Sequence, residues 1–239
     1  MHIPVPAIAL VVAVLAASEA VAGSSNTAFR QRLLADVPKL ALLQKYDPAT
    51  FERIASIYEA GERAGRPQGE LIGEARDAFS RVQQEKLAHA PDDLVLAAVK
   101  STIAVARDLE ISAPDACAAM FLGGTMGDIK PFLSPSTIVS EDRVYEDTLR
   151  ARKTTAPVAT EAEELAAIGP AMNIAAKKMQ LDIPTFIQVA SGHAPAQYVC
   201  RAQAELLSAL HSAEPSKAAS IFRRRFASVH QPASSNPPQ

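Results

Sequence analysis

Tryptophan is absent from this chain of 239 residues, and aromatic residues make up only 5% of it. Large rings therefore cannot fill the interior. Ala, Leu, Ile and Val must build the core, and an alanine-rich core without Trp favours close-packed helices. Strict apolar/polar alternation over five or more residues is hard to find, which argues against half-buried strands. Neither sign of charge dominates: 24 Lys and Arg stand against 26 Asp and Glu, a net charge of −2. That balance gives no electrostatic reason to expect nucleic acid as a partner.

Chemical motifs are equally scarce. No two of His2, His89, His193, His211 and His230 lie three or four apart, so no helix presents a two-histidine metal face. Neither the G-x-S-x-G turn of a hydrolase nor the Gly-Lys-Ser/Thr ending of a phosphate loop is present. Nothing in the sequence implies a cofactor.

What the chain does have is a distinctive N-terminus. Ala7 to Ala17 is an unbroken apolar run, followed by small residues with Ala20 and Ala22 two apart. This pattern predicts a signal peptide over 1–22, cut between Ala22 and Gly23. The region before the run holds no Lys or Arg, only His2 and the α-amine, a departure from the usual positive charge. The run is shorter than the roughly 17–25 residues needed to span a bilayer. No cysteine lies near the cut, so no lipid anchor is indicated. The expected mature protein is exported, periplasmic or secreted, with no stable membrane anchor after cleavage. At about 217 residues it is long enough to bury a core unaided.

Two cysteines, Cys117 and Cys200, complete the inventory of special chemistry. In an oxidising compartment a disulfide between them is expected. It would close a loop of about 84 residues, for which chain entropy suggests roughly 4–5 kcal/mol as an upper figure.

Helical periodicity runs through the rest of the chain, with prolines marking many helix starts. Residues 27–46 read as helix, kinked or split at Pro38. Asp47-Pro48 caps the next helix, which ends at Gly65-Arg66-Pro67. Further helices are expected over 68–88, from Pro91-Asp92-Asp93, and from a capping-box-like Ser112-Ala113-Pro114-Asp115 to Gly123. Residues 123–137 read as loop, followed by a helix over 140–152. Lys153 to Ala159 reads as a linker. Thr160-x-x-Glu163 is a second capping box, and Gly169-Pro170 should kink or split the helix it opens. Short helices follow from Ile183, Pro195 and Pro215. The expectation is an all-α, irregular bundle of nine to eleven short helices. It forms a single domain over 23–229 with a possible seam near 153–159, and residues 230–239 form a disordered tail.

Several local strings invite a functional reading. Gly123, Gly124 and Gly127 could form a mobile loop approaching an anion, though a helix C-cap explains Gly123 as well. Arg223, Arg224 and Arg225 lie between Phe222 and Phe226 and could present a basic binding surface. Glu161, Glu163 and Glu164 could be paired carboxylates, but their place in a first helical turn fits capping and the helix dipole. Ser191 and His193 lack an identifiable acid partner.

The leading expectation is an exported, non-enzymatic helical protein that binds a protein partner, of unknown identity, in the cell envelope or outside the cell. A lipid or small-molecule carrier is one alternative, with Met120, Met126, Met172 and Met179 lining an apolar cavity. A cell-wall or peptide hydrolase without a recognisable motif is the other.

Overall fold

A computed structural model describes residues 27–123 and 129–228. The expected signal peptide, the expected tail, Gly124, Met126 and Gly127 lie outside them. Among the described residues the regular structure is entirely helical, with eleven α-helices and one 3-10 helix, Lys130–Phe132. The chain divides into two compact units, Met1–Ser80 and Arg81–Gln239. The seam expected near 153–159 falls inside the second.

In the first unit, α1 spans residues 27–36 and α2 spans Leu40–Tyr46. The break at Pro38 follows from its missing N–H, and a tight turn spans it, with Leu40 N donating to Val37 O. Helix α3, Pro48–Arg63, starts as its sequence requires: Asp47 accepts from the Thr50 N–H, and Pro48 sits where an N–H is not needed. Gly65, with φ +72°, turns the chain towards α4, Gln68–Leu87, which runs on into the second unit. Phe51, Ile54 and Tyr58 of α3 and Leu71, Ala75 and Phe79 of α4 are buried. Ile57 of α3 is exposed.

The second unit is organised around α5, Asp92–Ser112, and α10, Ala196–His211. These two pack on each other, and both pack on α6, Pro114–Leu122, and on α11, Pro215–Ser228. Helix α7, Pro135–Arg150, lies on α5, while α8, Glu161–Met179, and α9, Ile183–Ala190, lie on α10. Half the members of the largest buried cluster are alanines, including Ala175, Ala202, Ala218 and Ala219. Side chains this short let helix axes approach closely, as the composition implied.

Three local expectations need correction. Ser112 does not cap α6, because α5 continues through it and its hydroxyl donates back to Asp108 O. The N-cap position belongs to Ala113, which makes no side-chain cap. Helix α7 starts at Pro135 rather than near residue 140, with Ser134 accepting from the Thr137 N–H. Helix α8 stays continuous through Pro170. Proline crowds the Cβ of the preceding residue in a helix, and Gly169 has none. The Asn173 side-chain amide donates to the Gly169 carbonyl at 3.1 Å, one turn below. Leu165 of α8 and Tyr198 of α10 are exposed, although apolar residues recur at helical spacing after each.

Gly61 of α3 is buried, and a methyl group added there would come 2.3 Å from Leu71 Cδ2. Leu71 is itself buried and cannot swing into solvent. Gly73 of α4 has open space at the same test. Gly61→Ala is therefore expected to lose about 1–2 kcal/mol through overpacking, beyond its gain in helix propensity. Gly73→Ala is expected to gain about 0.5–1 kcal/mol. Chemical denaturation of both variants checks the pair, and stabilisation by Gly61→Ala would contradict this packing.

Candidate functional site

The cysteines come together as expected. Cys117 of α6 and Cys200 of α10 form a disulfide with Cα atoms 5.5 Å apart, inside the usual range. Both are fully buried, in a cluster with Val105, Ala106, Leu109, Leu133 and Ala204. The two sulfurs lie 3.7 and 3.3 Å from the Ala106 carbonyl oxygen of α5. The bridge thus binds α6 and α10 together beside α5. Gly123 ends α6 in the left-handed conformation, φ +80°, with its N–H on Ala119 O. This is the C-cap geometry that favours glycine.

The arginine string does not make one basic surface. Arg223 is wholly buried. Its Nε and Nη2 donate to Ala90 O at 2.9 and 2.7 Å, Nη1 donates to Pro157 O at 3.2 Å, and Nη2 also pairs with Asp92. The helical period that puts Phe222 and Phe226 on one side leaves Arg223 pointing at the α4–α5 turn, not at solvent. Arg224 and Arg225 each place Nε on Glu164, at 3.0 and 2.9 Å, and Arg224 also reaches Glu161. Their charges are largely spent inside the molecule.

The carboxylates tell the same story from the other side. Glu163 accepts from Thr160 N at 2.7 Å while Thr160 Oγ1 accepts from Glu163 N, so the capping box is complete. The Thr160 backbone N–H and then its hydroxyl hold the Glu163 carboxyl below its ordinary range. Glu164 and Glu161 are taken up by the arginines. No acid and base face each other across a cleft here.

Other suspected groups are dispersed. Met172 and Met179 pack against the large alanine-rich cluster, whereas Met120 packs against the disulfide cluster. Ser191 and His193 lie in the α9–α10 turn, where the His193 N–H closes on Gln188 O. Among the described residues no group of three His, Cys, Asp or Glu is placed to hold a metal ion. In the first unit the Tyr58 hydroxyl donates to Asp36 Oδ2 at 2.7 Å, and Gln68 Nε2 donates to the same oxygen at 3.0 Å. Burial, then the bond to Asp36, pushes the Tyr58 phenol up to about 12. A phenol held there is not poised for proton transfer at neutral pH.

Elements that contribute to or adjoin the disulfide cluster also carry exposed apolar side chains. Ile111 at the end of α5 is 84% exposed, Val139 on α7 is 68% exposed, and Leu122 and Phe132 are each more than two-fifths exposed. The Ser112 hydroxyl lies 3.3 Å from Phe132 O, which sets the 3-10 helix beside the end of α5. These positions carried no signal in the sequence. Comparison with protein-family models, curated proteins and solved structures found no match.

Arg223→Met would leave the Ala90 and Pro157 carbonyls without their donors. The expected loss is about 2–4 kcal/mol. Arg225→Gln, on a partly exposed pair, is expected to cost about 1 kcal/mol or less. Urea titration separates the two, and equal losses would contradict the burial of Arg223.

For Tyr58, the folded pKa stands above the ordinary value of 10.0. Its contribution to stability is therefore complete below about pH 10 and is lost as pH rises through about 12. Stability measured across that window should fall less steeply for Tyr58→Phe than for the parent chain. Parallel slopes would show that the phenol does not stay protonated in the fold.

Proposed function

We propose that the mature chain is an exported, non-enzymatic helical protein that binds a protein partner through the surface around the Cys117–Cys200 cluster. The observation that carries this reading is the set of apolar side chains left exposed on elements that contribute to or adjoin that cluster: Ile111, Leu122, Phe132 and Val139. Exposed large apolar side chains are what a partner's surface desolvates. Two further observations support it. A buried disulfide suits an oxidising compartment, and no described helix is long and apolar enough to cross a membrane. Arg223, Arg224 and Arg225 are taken up by Asp92, Glu161, Glu164 and backbone carbonyls within the molecule, so that string is not the proposed surface.

The test places a photo-crosslinking amino acid at Ile111 or Phe132 in the full-length protein, expressed in its native host, with the exposed Lys217 of α11 as control. The expected result is one discrete protein adduct from the first two positions and none from Lys217. The same material, alkylated without reductant, should begin at Gly23 and carry no modified cysteine by intact mass. Equal labelling from all three positions would sink the surface assignment. A chain that retains Met1 with both thiols alkylated would sink the compartment.

A further inference from the structure

Residues 151–160 are the longest stretch without regular structure among the described residues, ten in succession between α7 and α8. The stretch is extended and mostly exposed, and its first part carries Arg152 and Lys153, both exposed. From Thr154 onward the backbone is pinned. Thr154 N donates to His89 O at 2.8 Å, Ala159 N donates to Ser220 O at 3.1 Å, and Pro157 O accepts from Arg223. The two basic residues lie just upstream of the first of these bonds.

We propose that this segment is a processing site for an endopeptidase that cuts after basic residues, at Arg152–Lys153 or Lys153–Thr154, giving a two-chain protein joined by Cys117–Cys200. The chemistry is hydrolysis of one peptide bond, with one water consumed and no oxidant or cofactor needed. An endopeptidase binds several residues of extended backbone on both sides of the bond it cuts, so a basic residue within a helix is cut only after local unfolding. The bonds after Arg152 and Lys153 lie outside any helix, so a cut there needs only release of the Thr154–His89 contacts and fraying of the last turn of α7, a smaller opening than the loss of a helix.

The competing sites are few and poorly placed. Residues 1–26, 124–128 and 229–239 contain no Lys or Arg. Outside the 151–160 stretch, the basic residues lie in helices, with two exceptions. Lys39 sits in the three-residue break before α2. Arg66 precedes Pro67, a bond such enzymes refuse, and its guanidinium is held by Glu74 and Glu70. Lys153 has only a long 3.9 Å contact with Glu85, and its side chain is 71% exposed.

The consequence of a cut is set by the disulfide. Cys117 lies before the site and Cys200 after it, so both pieces stay covalently joined. Arg223, after the site, continues to hold Ala90 and Asp92, before it. This inference rests on the strap and the bridge, and does not depend on partner binding.

The test exposes the oxidised full-length chain to a low ratio of trypsin. The first cut is expected within 152–154. Electrophoresis should show one band without reductant and two with it. Arg152→Gln with Lys153→Gln should slow that first cut by at least tenfold, with an unchanged circular dichroism spectrum. Protein recovered from the native host should contain a chain beginning at Lys153 or Thr154. A first cut elsewhere, an unchanged rate in the double variant, or only uncut chain in the host would each overturn the proposal.

Discussion

One buried guanidinium fixes how the second unit closes. Arg223 is the largest fully buried side chain among the described residues, and its charge is tolerable there only because its donors meet matched acceptors. Two go to the Ala90 carbonyl in the turn between α4 and α5, one to Pro157 in the strap, and one to the Asp92 carboxylate at the first turn of α5. Three pieces of chain that are far apart in sequence thus share one cation. An unpaired charge at this depth would cost several kcal/mol, so α11 cannot dock in any register that withholds these acceptors. The arginine therefore selects an arrangement as well as stabilising it. Asp92 adds to this because it remains partly exposed, so its own desolvation cost is modest while its charge stays near the guanidinium.

The second constraint is the scarcity of large side chains. With no tryptophan and few aromatics, burial must come from many small contacts. The α5–α10 pair and the helices laid on it interlock through Ala175, Ala176, Ala202, Ala218 and Ala219. Close packing of this kind has little tolerance for added volume, because neighbouring backbones leave no room to shift. It also supplies less apolar area per residue than a core of leucine and phenylalanine. A covalent bridge between α6 and α10 adds a constraint in the second, smaller cluster, where Cys117 and Cys200 are buried with Val105, Leu109 and Leu133.

Much of this was legible from the sequence, for reasons that are local. The break at Pro38, the caps at Asp47 and Thr160, the stop at Gly123 and the separate helices after Pro91, Ile183, Pro195 and Pro215 follow from backbone chemistry within a few residues. The failures share a different cause. Nothing near Ser134 reveals that its N–H will be taken by Asp108 Oδ2 at 2.7 Å, which anchors the start of α7 to α5. Nothing near Arg223 distinguishes it from Arg224 and Arg225, because the acceptors that draw it inward lie more than sixty residues away. The same holds for Leu165 and Tyr198, whose positions on helical stripes do not say whether a neighbouring helix will cover them. Tertiary hydrogen bonds and packing partners decided these cases, and a single sequence does not display either.

The strap between α7 and α8 shows how these levels combine. Its composition disfavours helix: Thr154 and Thr155 are β-branched, and Pro157 pushes Ala156 away from the helical region. An extended segment must then find partners for its backbone elsewhere. It finds them in His89 O for Thr154 N, in the Thr154 hydroxyl for Ala156 N, in Ser220 O for Ala159 N and in Arg223 for the Pro157 carbonyl. The strap is thus extended but held. Arg223 holds the α4–α5 turn with the same fork of donors, so the linker, the turn and α11 form one hydrogen-bonded unit. A segment that the sequence marks as a boundary is, in the folded protein, part of what joins the two sides of that boundary.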